Sequence, residues 1–299
     1  MNLIKIRKFT YTLSILLILA SIFALYAYGL KLGIDFTGGA ISEIEFNGER
    51  PDISKITEKV NVLNFGNAII QPTGEKGILI RTRDLTEGEH QALLREINSL
   101  GVSRELRFDS IGPTIGRELR NRSIWAIGLV LIAIILYIAF VFRKVSKPVS
   151  SWFYGIFAVV ALFHDILIPL GVFAYLGKFY GAEIDTLFVT AIFTVLGFSV
   201  HDTIVVYDRV RENLKKQQKG EIFEDTVARS LSQTLTRSIN TSLTVLLVLS
   251  ALYLIGAEST KYFSLTLIIG IIAGTYSSIF IASSLLVTWN NFQQKRLAR

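Results

Sequence analysis

Six long apolar runs dominate the sequence. Each run is long enough to cross about 30 Å of hydrocarbon as an α-helix, which takes about 20 residues. Inside a bilayer the backbone N–H and C=O groups must bond to each other, and a helix achieves this within one segment. The sequence therefore predicts an α-helical integral membrane protein with six transmembrane helices. The predicted spans are Phe9–Gly29, Ser123–Phe142, Ser150–Leu176, Thr186–Tyr207, Ser238–Ile255 and Phe263–Trp289.

The positions of Lys and Arg predict the orientation of these spans. Lys and Arg cluster in the tails and short loops of one side, whereas the two short loops of the other side contain only Lys178 and Lys261. Because short cytoplasmic loops carry an excess of Lys and Arg, both termini are predicted to be cytoplasmic. The first run is expected to remain as an anchor, since its apolar core is too long for a signal peptide and no small-residue cleavage pattern follows.

The net charge of +7 follows from the same asymmetry. No aromatic-interleaved basic patch accompanies it, so a nucleic-acid partner is not expected. Cysteine is absent, which excludes disulfides and thiolate chemistry.

The predicted regions are an N-terminal transmembrane helix at 1–30, an extracytoplasmic α+β domain with flanking hinges at 31–122, a five-helix transmembrane bundle at 123–289 and a cytoplasmic basic tail at 290–299.

The long stretch between the first two spans has the pattern of a small ferredoxin-like domain. Strand and helix periodicities alternate in the order β-α-β-β-α-β, which is the split βαβ arrangement. Thr86 is expected to cap the second helix and Gly101 to end it, with a turn at residues 72–74 between the middle strands. His90 is expected to be solvated on a polar helix face. The expected elements are strand Ile41–Phe46, helix Ile53–Val60, strands Ala68–Gln71 and Ile78–Arg81, a helix around Leu93–Ile97, and strand Val102–Phe108.

Two glycine-rich segments join this domain to the membrane spans. Glycine permits backbone angles that other residues avoid, and proline fixes one angle, so both segments can form tight turns. They are interpreted either as simple linkers or as a paired hinge that lets the outer domain tilt. The residues concerned are Gly33, Asp35, Gly38 and Gly39 in the first segment and Gly112, Pro113 and Gly116 in the second.

Asp202 and Arg237 are ionisable residues within or at the start of apolar runs. Each such side chain costs about 2.5–3.5 kcal/mol at the centre of a bilayer on insertion scales, so we interpret the pair as a group that loads and unloads a proton or ion. The alternative is a static buried salt bridge that clips two spans together. Spacing places Asp202 about 100° from a polar face of its helix, and Arg237 on a similar face of the next. These two faces consist of Thr190, Thr194, Gly197 and His201, and of Thr234, Arg237, Thr241 and Thr244.

His164 and Asp165 form a second ionisable pair, near the middle of the third span. Adjacent helical residues do not face each other, so we expect each to find its partner on another helix or subunit rather than in the other. A functional role and a packing role both remain open for them. Gly270 and Gly274 form a small-xxx-small motif, which predicts close helix contact.

Four segments resemble signatures of the SecF members of the SecD/SecF family of protein-export membrane proteins, in the resistance-nodulation-division superfamily. They are Gly33–Gly39, Gly112–Gly116, Gly197–Asn213 and Ser232–Ser242. The resemblance implies a subunit of the bacterial inner membrane that works with SecD and uses the proton-motive force to promote polypeptide export. The implied partners are SecD, the SecYEG translocon, YajC, YidC, exported preproteins and membrane lipid, and no cofactor is implied.

The resemblance also implies roles for individual residues. Asp202 and Arg237 match family positions of the proposed proton pathway, and His201 stands where the family usually has Asn. His201 is therefore either an additional proton relay or a hydrogen-bonding group of similar size. Proton and sodium both remain open as the coupling ion.

Two other classes of function are alternatives to export. An enzyme is not expected: Tyr207-Asp208 resembles half of an intramembrane aspartyl protease site, but the Gly-x-Gly-Asp half is missing, as are His-Glu-x-x-His and Gly-x-Ser-x-Gly motifs. The second alternative is half of a resistance-nodulation-division exporter for lipids or small molecules. Such pumps have paired outer modules, whereas this chain offers one.

Overall fold

The computed structural model describes residues 3–143, 148–217 and 220–297. The chain divides into two compact units, one formed by the residues up to Lys31 together with Ala126–Arg299, the other by Leu32–Trp125. The helices are α1 (Arg7–Tyr28), α2 (Ile34–Thr37), α3 (Ile53–Val62), α4 (Glu87–Leu100), α5 (Pro113–Val141), α6 (Ser151–Tyr180), α7 (Thr186–Lys215), α8 (Phe223–Ile255), α9 (Glu258–Ser277) and α10 (Ser283–Leu297). The strands are β1 (Gly39–Phe46), β2 (Ile69–Thr73), β3 (Gly77–Thr82) and β4 (Ser103–Ile111).

Six helical segments of the described chain are long and apolar enough to cross a membrane. They are α1, α5, α6, α7, α8 and the run from α9 through α10, so the prediction of six spans is confirmed. A π-helical turn at Ser278–Ala282 joins α9 to α10 without a break. Three helices extend well beyond the predicted spans, because hydropathy reports the part of a helix that lipid can cover and not where the helix ends. Thus α5 begins at Pro113, α7 runs on to Lys215 and α8 begins at Phe223.

The polar end of α7 packs against the start of α8. Asn213 is only 5% exposed. Its amide donates to Oγ of Ser230 and to Oε1 of Gln233, both at 2.8 Å. These bonds fix the last turns of α7 against the first turns of α8.

Small residues bring helices of the larger unit close together. A Cβ built on Gly270 would overlap the side chain of Val195, and one on Gly274 would lie 2.9 Å from Cβ of Ser199. The predicted close contact of the small-xxx-small motif is therefore confirmed, with α7 as the neighbour of α9. A Cβ on Gly171 of α6 would similarly lie 2.5 Å from Cα of Ser21 in α1.

The smaller unit has one antiparallel sheet with strands in the order β2-β3-β1-β4. The element order β1-α3-β2-β3-α4-β4 is the predicted one. Its core is a single apolar cluster to which both helices and the sheet contribute. The predicted ends of α4 are confirmed, since Thr86 precedes its first residue and Gly101 follows its last.

Two local predictions in this unit are wrong. Pro72 and Thr73 lie in β2 rather than in a turn, and the turn occupies residues 74–76. Proline is tolerated there because β2 is an edge strand. His90 is 6% exposed, not solvated: its ring stacks on Phe108 with centroids 3.6 Å apart, and Nε2 lies 2.9 Å from Oε1 of Glu105. His90 shares a face with the buried Leu93 and Ile97, a spacing that places it inward.

Candidate functional site

Asp202 is a buried carboxyl near the middle of α7, with 8% of its surface exposed. Its Oδ1 atom accepts a hydrogen bond of 2.5 Å from the hydroxyl of Ser238 on α8. Its Oδ2 atom is buried and has no hydrogen-bond partner among the described residues. One oxygen of this carboxyl is therefore free to carry a proton without losing an existing bond.

Arg237 lies next to Ser238 but on another side of α8, because consecutive helical residues are about 100° apart. Ser238 is 2% exposed, whereas Arg237 is exposed. Within residues 3–143, 148–217 and 220–297, no ion pair joins Asp202 to Arg237. The expected direct contact is thus replaced by the neutral hydroxyl of Ser238, which the sequence analysis did not single out. A signal was present in the sequence, since Ser230, Thr234, Ser238 and Ser242 recur every four residues and are all buried.

The polar faces expected on α7 and α8 lie on the outside of the larger unit. The four residues expected to share a face of α7 are all exposed, and so are three of the four expected on α8. Thr234 is the exception, because it is 7% exposed and donates to the backbone of its own helix. We call the exposed set the polar stripe. It consists of Thr190, Thr194, Gly197 and His201 on α7 and of Arg237, Thr241 and Thr244 on α8.

The second ionisable pair lies fully inside the bundle. Asp165 is 0% exposed and His164 is 1% exposed. Oδ2 of Asp165 accepts from the hydroxyls of Ser199 on α7, at 2.6 Å, and Ser277 on α9, at 2.8 Å. The expectation of partners on other helices is correct for Asp165.

The expectation that these two residues cannot contact each other is wrong. Nδ1 of His164 lies 3.0 Å from Oδ1 of Asp165. Nδ1 of His164 and Oδ1 of Asp165 are both only a few bonds from the backbone. So close to the helix axis, the angle between adjacent positions separates side-chain atoms only slightly, and the two atoms can come within hydrogen-bond distance. The pair is an ionisable dyad held between three helices.

The π-helical turn brings the two carboxyls into one connected region. Ser277, at the end of α9, contacts Asp165. Ser278 follows it directly, and its hydroxyl lies 2.9 Å from Oγ1 of Thr203, the residue after Asp202. π-Helical turns are rare and occur often at functional sites. Nothing in the hydropathy of this stretch predicts the turn.

In the smaller unit, the two glycine-rich segments pack against each other. Gly38 has φ of +79°, and a Cβ there would lie 2.7 Å from Cα of Pro113. A Cβ on Gly116 would lie 2.8 Å from the backbone nitrogen of Gly38. We call this contact the glycine clasp. The other residues of the two segments are close in sequence to the glycine clasp. Gly33 precedes α2, and Asp35 lies within α2. Gly39 begins β1, and Gly112 precedes α5.

Comparisons with known proteins place the chain in a family. A family model for the C-terminal region of the protein export membrane proteins SecD and SecF matches residues 91–292, and a model of the SecD/SecF GG motif matches residues 23–48. The protein translocase subunit SecF of Thermobaculum terrenum is 46% identical, with 100% of this chain and 96% of that protein covered. SecF of Vibrio alginolyticus is 40% identical, with 93% of this chain and 86% of that protein covered.

A solved structure is similar in the same way. The crystal structure of SecDF from Thermus thermophilus, described as a translocon-associated membrane protein, has a TM-score of 0.83 and 30% sequence identity to this chain. The similarity covers 97% of this chain but only 39% of the SecDF chain. The present chain is thus a multi-pass membrane protein that belongs to the SecD/SecF family of protein export membrane proteins. Its relatives of matching length are SecF subunits.

Proposed function

We propose that this chain is the SecF subunit of a bacterial protein translocase, and that with SecD it uses the proton-motive force to promote export of polypeptides. The observation that carries the coupling role is the buried Asp202, which has one bonded and one unpartnered oxygen among the described residues. A carboxyl kept at this depth is costly, and such residues mark proton relays in pumps and transporters.

The polar stripe supports a SecD partner. Lipid cannot hydrogen-bond to exposed hydroxyls or to Arg237 within a membrane span, so these side chains require protein or water beside them. The chain accounts for 39% of the SecDF chain that it resembles, which leaves the larger part of such an assembly to another subunit. SecD would cover the stripe and bring a proton-accessible path to Asp202. The other proposed partners are the SecYEG translocon, YajC, YidC, exported preproteins and membrane lipid.

In this proposal the protein lies in the inner membrane with both termini in the cytoplasm, and the smaller unit is an extracytoplasmic ferredoxin-like domain. A proton that binds Oδ2 of Asp202 removes the negative charge beside the polar stripe and weakens its attraction for Arg237 and His201. The spans then repack against SecD, and the outer domain tilts on the segments around the glycine clasp. One charge that crosses 100 mV supplies about 2.3 kcal/mol, which biases a two-state equilibrium roughly fiftyfold.

The test is export of a secreted reporter into inverted membrane vesicles that contain the motor ATPase, SecD and either wild-type chain or a variant, with and without a proton gradient. Asp202→Asn keeps the shape and one acceptor but cannot ionise, and Arg237→Ala removes the cation of the stripe. We expect both variants to lose the gradient-dependent part of export and to keep the ATP-dependent part.

The matched control is Asp208→Asn, which changes an exposed Asp on the same helix. We expect this variant to behave as wild type. Retention of gradient-dependent export by Asp202→Asn would refute the coupling role and leave Asp202 with a structural one.

A further inference from the structure

We propose that His164 and Asp165 form a second proton-binding site within the bundle, separate from Asp202, in which Nε2 of His164 takes the proton. The use of this proton in export rests on the proposed function above. The binding of the proton itself does not, and it can be measured directly.

The contacts of Asp165 define the state of the dyad. Three atoms lie within hydrogen-bond distance of its carboxyl: Oγ of Ser199 at 2.6 Å and Oγ of Ser277 at 2.8 Å, which donate, and Nδ1 of His164 at 3.0 Å. An ionised carboxylate only accepts hydrogen bonds, so we take the two hydroxyl donors as the mark of an ionised Asp165. Nδ1 of His164 must then carry a hydrogen, and in a neutral ring the other nitrogen, Nε2, is bare.

Nε2 of His164 is the atom at which a proton can be added without disturbing these bonds. It is buried, and it has no hydrogen-bond partner in the part of the chain that the structure describes. Without the added proton the dyad has a net charge of −1 in a medium of low dielectric. With it, an imidazolium and a carboxylate lie 3.0 Å apart and the net charge is zero. A buried charge is stabilised when it is paired in this way.

Among the described residues, the groups that contact the ring bond to atoms other than Nε2 of His164. Tyr276 stacks on the ring with centroids 5.8 Å apart, but its hydroxyl is engaged with α1, where it donates to the carbonyl of Thr10 at 2.8 Å and lies 3.1 Å from Oγ of Ser14. Asp165 and Tyr276 contact the ring. The ionisable groups on the other helices packed against α6 include Arg7 bonded to Glu224, Tyr11 to Thr288, Asp202 to Ser238 and Tyr207 to the carbonyl of Ala282, the exposed His201, and Lys295 and Arg296 at the end of α10.

The dyad is linked to Asp202 through the π-helical turn. The hydroxyl of Ser277 has one proton and two acceptors in reach, Oδ2 of Asp165 at 2.8 Å and the carbonyl of Gly274 at 3.1 Å. The next residue, Ser278, also donates to Gly274 and contacts Thr203 beside Asp202. A change of charge at the dyad therefore alters the hydrogen bonds of a turn that also contacts the neighbour of the first carboxyl.

The first test observes the proton. The sequence contains 3 histidines, so ring-labelled ¹⁵N histidine in the full chain bound to SecD gives three sets of signals, and His164→Asn identifies one of them. We expect His164 to be the Nδ1–H tautomer when neutral and to show a second, doubly protonated form as the pH is lowered. Asp165→Asn should abolish the tautomer preference. A ring that never becomes doubly protonated while the protein stays folded, or that carries its neutral hydrogen on Nε2, would overturn the assignment.

The second test measures export in the vesicles described above. His164→Asn retains an amide N–H where Nδ1 donates to Asp165 but has no group that takes a proton, so a merely structural histidine tolerates it. We expect loss of gradient-dependent export with ATP-dependent export retained. Tyr137→Phe, at an exposed residue of α5, is the control and should behave as wild type.

The outcomes separate the two proposals. If His164→Asn exports as wild type while Asp202→Asn loses the gradient-dependent part, the use of the dyad's proton in export is wrong and the coupling role of Asp202 stands. If both export as wild type, the proposed coupling function is wrong, and the nuclear magnetic resonance result still decides whether the dyad binds a proton.

Discussion

At the residue scale, the bundle holds both of its buried carboxyls with serine hydroxyls. Ser238 serves Asp202, and Ser199 and Ser277 serve Asp165. A hydroxyl can rotate and act as donor or acceptor, so it accommodates either protonation state of the carboxyl. Removing one partner of a buried ion pair costs about 3–5 kcal/mol. Hydroxyl partners therefore allow a proton to come and go at a smaller energetic cost than an arginine partner would.

A prediction at the residue scale concerns Glu89 in the first turn of α4. Hydrogen bonds from Arg83, and then from the backbone and hydroxyl of Thr86, lower the pKa of Glu89 to about 2 from its ordinary value of 4.5. A lowered folded-state pKa means that the ionised carboxylate stabilises the folded turn above pH about 4.5 and that this contribution is lost as the pH falls toward about 2.

The measurement is amide hydrogen exchange in the first turn of α4. We expect faster exchange in wild type as the pH falls from 4.5 toward 2, after correction for the intrinsic rate. Glu89→Ala should exchange faster than wild type above pH about 4.5, and the difference should disappear as the pH falls toward 2. Glu96→Ala removes only a partly exposed pair with Lys59 and should leave the first turn unchanged. Equal exchange in Glu89→Ala and wild type would show that the cap does not hold the turn.

At the element scale, contact between α7 and α9 depends on the absence of side chains at two glycines. Val195 is β-branched and restricted in χ1, so it cannot easily move away from an atom added at Gly270. Overpacking of this kind costs about 1–3 kcal/mol. The gain in helix propensity from glycine to alanine is at most about 1 kcal/mol.

We therefore expect Gly270→Ala to lower the thermal midpoint of the purified protein in detergent. Gly128→Ala is the matched control, since a Cβ at Gly128 in α5 meets nothing within 4 Å. The control should leave the midpoint unchanged or raise it, because alanine favours the helix. An unchanged midpoint in Gly270→Ala would mean that the two helices can separate at little cost.

A helix can be located from the sequence only where its surroundings select a recognisable pattern of amino acids. Hydropathy locates all six spans, because lipid selects apolar residues along their length. The start of α8 at Phe223 leaves no such signal, since its first turns pack on protein through polar residues such as Thr226 and Ser230. The π-helical turn adds one residue to a turn of the helix, and no change in amino-acid composition marks it. Helical spacing alone therefore could not predict that Ser277 and Ser278 lie beside Asp165 and Thr203.

At the scale of the whole molecule, we propose that the polar stripe faces protein and that the exposed apolar side chains of the larger unit face lipid. Helix α5 is mostly exposed and apolar, as expected of a lipid-facing span. The stripe on α7 and α8 could be predicted from the sequence by its helical spacing. Spacing also places Asp202 about 100° from this face, but it does not show which of the two directions points into the bundle.

The stripe gives a prediction about the partner. Thr194→Leu adds bulk on the exposed face of α7, so we expect less SecD to copurify with this variant while its own helix content is unchanged. Ile132→Phe, on the lipid-facing side of α5, is the control and should copurify SecD as wild type does. Full recovery of SecD with Thr194→Leu would place the partner on another face.

The glycine clasp joins the two ends of the smaller unit, since Gly38 touches Pro113 and Gly39 pairs with Ile111. A domain whose first and last residues adjoin can be inserted into a host chain, lengthened or exchanged with little disturbance to that host. We therefore expect the segment between the two ends to tolerate insertions, deletions and surface substitutions. Gly38 and Gly116 should not tolerate substitution, because a Cβ at either position would overlap backbone atoms. The smaller unit therefore has the form of an insertion that could be exchanged between related chains.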